Sequence, residues 1–258
     1  MKFNANVTSL YPELSVMDGL EAAAADGFSA VECRMPYDVP VETLSNKINE
    51  LGLTFVQFNT PSGAWGQGER GIAGLPGRTQ EFRDGLELAI DYARKLGVRQ
   101  LNALAGLLPE GTRSEVFEDT LVANLGFAAK RLQDEGIRLQ LEPVNSADIP
   151  GAYITTTGHF QRIYERVKSD NLFLQYDFYH MQVMQGDLVQ TFARLQPYIN
   201  HVQVADHPGR HEPGTGEINY RFVFETLERL GYDRWIGCEY VPQEDVGNGF
   251  RKWTSMLT

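Results

Sequence analysis

One phrase recurs along the chain: an amphipathic stretch, a glycine, then a run rich in Val, Ile, Phe and Leu. It occurs at Asp26-Gly27 before FSAVECR, Leu51-Gly52 before LTFVQFN and Leu96-Gly97 before VRQLNAL. It returns at Glu135-Gly136 before IRLQLEP and at Leu230-Gly231 before YDRWIGCEY. Glycine closes a helix because it takes the left-handed cap conformation without a Cβ penalty. The runs that follow alternate at period two, as strands do. Two further junctions lack the glycine, SDNLFLQYD near 169–177 and LQPYINHVQVAD near 195–206.

With the N-terminal FNANVT this gives eight strands, starting near residues 2, 28, 53, 98, 137, 171, 200 and 235. Helices lie between them. Phe82, Leu86, Ala89, Ala93 and Leu96 share one helical face, as do Phe117, Leu121, Leu125, Ala128 and Leu132. Thr112 with Glu115 fits a capping box at the start of the second. A last helix is expected over roughly 244–257. Spread over eight units, 258 residues allow about 32 each, close to the ~30 of a βα repeat. Strict alternation predicts a parallel sheet, and eight units predict an α/β fold, a single (β/α)8 TIM barrel over residues 1–258. A doubly wound open sheet is the fallback. No linker or charge block divides the chain. Its longest irregular stretch, Thr60 to Gly77, holds six glycines and two prolines, and loops of that length are commonly functional lids or flexible inserts.

Charge and cysteine content narrow the function classes. Lys and Arg number 23 against 34 Asp and Glu, a net charge of −11 that repels nucleic acid and anionic membranes. The two cysteines, Cys33 and Cys238, make no disulfide framework, so a reducing cytoplasm is the expected compartment. The N-terminal MKFNANVTSL has no long apolar run and does not read as a signal peptide, and no stretch reads as a membrane span. A small anionic substrate stays compatible with this charge, because one local arginine outweighs a distant field. Oligomeric state is left open, a homo-oligomer included.

In a barrel the active site lies at the C-terminal ends of the strands. Parity then sorts the side chains. Leu139 and Leu141, Leu174 and Tyr176, Val202 and Val204, and Ile236 and Cys238 face the helices. Gln140 and Glu142, Gln175 and Asp177, His201 and Gln203, and Gly237 and Glu239 face the lumen. Four adjacent strands thus each bring one polar group to the top: Glu142, Asp177, Gln203 and Glu239. Crowded carboxylates raise one another's pKa, and a divalent cation removes that penalty. All-oxygen ligands suit Mg²⁺ or Mn²⁺. The plainer alternative is that strand-end carboxylates cap helices or meet solvent. Glu32, Gln57, Asn59 and Asn102 also face inward, either lining a polar pocket or satisfying one another. His180 follows Asp177 into the next helix and can reach the same pocket; a structural histidine is the alternative. Arg210 follows strand seven as a clamp for a carboxylate, or as a surface arginine paired with Glu212. Both cysteines face outward, which suits packing rather than reactivity.

With these residues in place, the chain resembles the hydroxypyruvate isomerase family, within the xylose-isomerase-like barrel superfamily. The matching stretches are FNANVTSLY, AVECRMPYD, GERGIAGLPGR, LEPVN with DIPG, QYDFYHMQ, HVQVADHPGRHEPGTGEINY and WIGCEY. The resemblance implies that Glu142 and Glu239 are paired acid/base glutamates, joined by Asp177 and Gln203 as a metal shell. It implies that His180 and Arg210 touch substrate. Gln203 stands where many superfamily members carry histidine, which weakens the ligand field and makes the metal loosely held or dispensable. The implied reaction interconverts hydroxypyruvate and tartronate semialdehyde through an enediolate, with proton transfer between the two glutamates. Rivals are a 2-oxo-tetronate isomerase or a keto-sugar epimerase with the same chemistry. An apurinic endonuclease on this barrel fits poorly with five histidines and net charge −11. A non-catalytic sugar-acid binding protein is the remaining class.

Overall fold

A computed structural model describes residues 1–257. Among the described residues, nine short strands form one all-parallel sheet: β1 (Lys2–Asn6), β2 (Ala30–Glu32), β3 (Thr54–Phe55), β4 (Phe58–Asn59), β5 (Gln100–Asn102), β6 (Arg138–Leu141), β7 (Leu172–Asp177), β8 (Ile199–Val204) and β9 (Trp235–Cys238). Their order is β3-β2-β1-β9-β8-β7-β6-β5-β4. Helices connect them, including Thr79–Leu96 and Ser114–Gln133. None of the helices described is long and apolar enough to cross a membrane.

The third expected strand is divided into β3 and β4 by Val56 and Gln57. The cause is a change of partner: β3 pairs with β2, whereas β4 pairs with β5. Hydrogen bonds nevertheless continue along the run on its β2 side, from the Val56 N–H to the Val31 carbonyl (2.8 Å) and from the Asn59 N–H to the Arg34 carbonyl (3.0 Å). The two outer positions of the strand order therefore meet in one stretch of chain, and the sheet curls round on itself.

The glycine signals mark helix ends. Gly97 has φ +70° and open space around it, and Gly27, Gly52, Gly136 and Gly231 share the left-handed conformation. Phe82, Leu86, Ala89 and Ala93 are buried on the Thr79–Leu96 helix, and Phe117, Leu121, Leu125, Ala128 and Leu132 on the next. The capping box expected at Thr112 is not formed. The Thr112 N–H is tied to the Pro109 carbonyl in a turn (3.0 Å), and the helix starts at Ser114 with Arg113 as a cap that makes no side-chain bond. The final helix is Val246–Thr254.

Residues expected to face the helices are buried in the apolar layer between sheet and helices: Leu139, Leu141, Leu174, Tyr176, Val202, Val204, Ile236 and Cys238. Cys33 and Cys238 are both free thiols packed into that layer. The inner side of the sheet is polar rather than filled by branched aliphatics. Glu32 accepts bonds from Asn4 (2.8 Å), Asn6 (3.1 Å) and Gln203 (2.6 Å), and its carboxylate lies 2.7 Å from His201 Nε2. Gln175 donates to Gln203 (2.6 Å) and Gln140 to Gln57 (2.7 Å). Burial works against a charge on Glu32, but His201 and the amide donors outweigh it and keep its pKa below the ordinary carboxylate range.

Candidate active site

A cavity opens at the C-terminal ends of the strands, with about 70 Å³ open to the centres of water-sized molecules. Glu142, His180, Gln203, Arg210 and Glu239 all line it. Glu142 directly follows β6 and accepts a bond from Asn102 Nδ2 (3.0 Å), which also bonds to Asn59 (3.1 Å). Gln57 and Asn59 line the cavity, whereas Glu32 is committed to the network beneath it.

Asp177 closes β7 and caps the short helix Phe178–Met184, with Oδ1 accepting from the Tyr179 N–H (2.8 Å). Its Oδ2 is buried without a hydrogen-bond partner, 3.6 Å from His180 Nε2 and 3.7 Å from Arg210 Nη2. His180 Nε2 lies 3.9 Å from Glu142 Oε1. Burial first, then the charges of Glu239 and Asp177, raises the Glu142 pKa well above the ordinary carboxylate value. Burial pushes Asp177 up to about 7 against the opposing pull of Arg210.

The tautomer of His180 follows from its neighbours. Its Nδ1 accepts the Asn145 backbone N–H (3.3 Å) and faces Asn145 Nδ2 at 2.7 Å. The Asn145 amide is oriented by its other bonds, Nδ2 to Asp148 (3.0 Å) and Oδ1 from the Asp148 N–H (2.7 Å). Nδ1 is therefore an acceptor, and the proton sits on Nε2, aimed at Asp177 and Glu142. Burial, then the charge of Arg210, keeps the ring neutral by lowering its pKa well below the ordinary value. Asn145 was not visible as a functional residue in the sequence; its position in LEPVN was the available signal.

Arg210 sits in the left-handed region with φ +57°, in a loop held by Asp206, whose carboxylate accepts from the N–H groups of His207, Gly214 and Ile218. Glu212 is not its partner, because that carboxylate accepts from the Gln243 N–H. Arg210 Nη2 instead bonds Glu239 Oε2 at 2.9 Å, and Glu239 Oε1 accepts from Ser9 (3.4 Å). The Arg210 Nε is buried and unbonded.

Glu142, Asp177 and His180 lie close enough that one donor atom from each falls within 4.8 Å of the others. The unpartnered Asp177 Oδ2 and the crowded carboxylates fit a hard cation. His180 fits less well as a ligand, because its metal-facing nitrogen carries the proton. The structure brings Gln203 to the same cavity, but its carbonyl oxygen accepts from Gln175 and its amide donates to Glu32. The cavity is also lined by groups that carry no functional signal in the sequence, among them Arg34, Trp65 and Arg70. The latter two come from the 60–77 stretch. Its second half is anchored, with Ile72 and Ala73 buried and the Ala73 carbonyl bonded by Asn124 (2.8 Å), while Ala64, Gly66, Gln67 and Gly68 are exposed.

The family model of xylose isomerase-like TIM barrels matches residues 20–255. The chain belongs to the xylose isomerase-like TIM barrel family. Within this family it is 45% identical to hydroxypyruvate isomerase of Escherichia coli (strain K12), over 97% of each chain, in line with the kinship expected from its motifs. It is 40% identical to 2-oxo-tetronate isomerase of Cupriavidus necator, over 96% of this chain and 95% of the relative. A solved structure from Brucella melitensis, described as an AP endonuclease of family 2, superposes with a TM-score of 0.94 at 37% identity, covering 98% of each chain. The sequence relatives are isomerases, and this chain is accordingly an isomerase-type enzyme.

Proposed function

We propose that this protein is a hydroxypyruvate isomerase, interconverting hydroxypyruvate and tartronate semialdehyde (2-hydroxy-3-oxopropanoate). The observation that carries this reading is the 45% identity to the Escherichia coli enzyme across nearly the whole chain. Residues 54–59 are taken as one interrupted strand, which makes the chain a single-domain (β/α)8 barrel over residues 1–258. Glu142 and Glu239 stand at strands three places apart and line one cavity, which suits a substrate held between them.

One glutamate removes a C3 proton from hydroxypyruvate to give the enediolate, and the other delivers a proton to C2; the hydroxyl proton passes from O3 to O2. The raised pKa of Glu142 suits a group that alternates between acid and base near neutral pH. The Nε2–H of neutral His180 donates to an enediolate oxygen, a role suited to an imidazole held in the neutral form. Arg210 balances the charge of Glu239, and its side chain lines the cavity where substrate oxygen would lie. Glu142 and Asp177 would hold Mg²⁺ or Mn²⁺, with Glu239 and the Gln203 carbonyl completing an oxygen set once they leave Arg210 and Gln175. Such an ion, when bound, supplies charge stabilisation at the enediolate oxygens.

The test is to incubate EDTA-treated protein in D₂O with hydroxypyruvate, with and without Mn²⁺ or Mg²⁺, and to follow it by proton NMR. Tartronate semialdehyde with deuterium at C2 or C3 supports the reading, and absence of turnover in every condition overturns it. The 40% identity to 2-oxo-tetronate isomerase supports a four-carbon 2-oxo acid as the second reading. The ratio of kcat/KM for the two acids decides between them, and a neutral ketose in the same assay tests epimerase chemistry. The net charge of −11 weighs against a phosphodiester backbone as substrate.

A further inference from the structure

The cavity carries more positive charge than its acid/base pair needs. Arg34, Arg70 and Arg210 line it beside Glu142 and Glu239, with Asp177 buried against Arg210, so three guanidiniums gather here in a chain whose net charge is −11. Arg210 is matched to Glu239. Arg34 and Arg70 are matched to no carboxylate among the described residues; both guanidiniums instead lie over the ring of Trp65, at 4.4 and 4.2 Å from its centroid. Arg70 is steadied by its own loop, with Nη1 donating to the carbonyls of Trp65 (3.0 Å) and Glu69 (2.8 Å). An indole face attracts a cation but supplies no counter-charge. Burial lowers the Arg34 pKa from its ordinary value, with Arg210 and Arg70 adding repulsion and Glu239 opposing. Two guanidiniums gathered on one aromatic ring at a cavity wall, without a carboxylate, are the arrangement that receives a carboxylate from outside.

We propose that Arg34 and Arg70, braced by Trp65, form the clamp for the substrate carboxylate, leaving Arg210 to its pairing with Glu239. This rests on the reading of the protein as a 2-oxo-acid isomerase. It gives the substrate a fixed orientation, with its carboxylate toward residues 34 and 65–70 and its C2 and C3 toward Glu142 and Glu239. It also makes the negative charge of the substrate, rather than its hydroxyl pattern, the main discriminator against neutral ketoses. Trp65 is a positioning residue in this scheme, because it acts through the two arginines.

Two measurements test the clamp, the first of them independently of the reaction. In the first, tryptophan fluorescence of the intact protein is titrated with pyruvate, an anion lacking the C3 hydroxyl, and with hydroxyacetone, its uncharged counterpart. Pyruvate is expected to perturb the signal of the wild type and to leave Arg34→Met, Arg70→Met and Trp65→Phe unresponsive at the same concentrations, while hydroxyacetone perturbs none. In the second, steady-state turnover of hydroxypyruvate is expected to show KM about 10- to 100-fold higher in Arg34→Met and Arg70→Met, with kcat within about threefold of wild type. Arg34→Lys, which keeps the charge but not the fork, should fall between. Circular dichroism checks that each variant folds, and Arg70→Met, altered on a partly exposed loop, keeps the test intact if Arg34→Met does not. Equal responses to pyruvate and hydroxyacetone, or unchanged KM in both methionine variants, would overturn the clamp while leaving the isomerase reading in place. A pyruvate response abolished by Arg34→Met in a protein that does not turn over hydroxypyruvate would uphold the clamp and sink that reading.

Discussion

Glu118 offers the cleanest quantitative prediction. It lies on the Ser114–Gln133 helix with its side chain only 12% exposed. Its carboxylate accepts bonds from Arg166 (2.6 Å), Tyr153 (2.9 Å) and Arg162 (3.0 Å). Burial opposes its charge, but these donors outweigh burial and hold its pKa down at about 2. A carboxyl that titrates at about 4.3 when unfolded and about 2 when folded contributes about 3 kcal/mol at neutral pH. Arg162 and Arg166 are 55% and 39% exposed, so solvent screening reduces this to about 2 kcal/mol. Because the folded pKa is depressed, the contribution is complete above about pH 5 and is lost as pH falls toward 2. Urea unfolding of wild type and Glu118→Gln should therefore differ by about 2 kcal/mol at pH 7, with roughly half of that gap left at pH 3. A gap of the same size at pH 7 and pH 3 would refute a charge-based latch. Tyr153 belongs to the segment after β6 that also carries Asn145, so the variant additionally tests whether this latch steadies the residue that orients His180.

Three further outcomes are expected. Glu142→Gln and Glu239→Gln should each lower turnover of hydroxypyruvate by at least about 10²-fold with an unchanged circular dichroism spectrum, and full activity in either would remove the two-glutamate scheme. Asn145→Ala removes one of two donors to His180 Nδ1; kcat should fall about tenfold with little change in KM, read from steady-state kinetics. Gly237→Ala would bring a Cβ to 2.7 and 2.9 Å from the Glu32 oxygens and 3.0 Å from Gln203 Cγ. It should cost about 1–3 kcal/mol in urea unfolding and displace Gln203, and a fully stable variant would mean that the lumen yields more easily than its bonding suggests.

Much of the frame was legible because period and punctuation are local properties. The glycines at 27, 52, 97, 136 and 231 needed only their own backbone geometry to announce a helix end. Parity placed Gln175 and Gln203 on the inner side of the sheet, where they bond to each other. What escaped depends on pairing at a distance. The division of the third strand comes from its change of partner between β2 and β5, which no property of TFVQFN encodes. The capping box failed because Thr112 had a nearer use in a turn. The network around Glu32 joins residues from β1, β2 and β8, so whether it lined a pocket or satisfied itself was undecidable from either strand alone. Arg34, Trp65 and Arg70 carry no periodic signal, since they belong to irregular chain that the fold gathers over the strand ends.

The rooting of the 60–77 stretch divides the molecule into parts that can change independently. Gly71 lies so close to the Leu104 carbonyl, 2.4 Å from where a Cβ would stand, that this root admits almost no variation. Residues 63–69 project beyond it and carry Trp65, yet they contribute nothing to the apolar core. They amount to a cassette, tied to the body through Glu69, which pairs with Arg78, and through Trp65, which lies against Arg34 and Arg70. The proton-moving residues are locked at the strand ends by bonds across the lumen. Of residues 63–69 only Trp65 reaches the cavity, so a change elsewhere in this segment leaves both the core and the strand-end chemistry as they were.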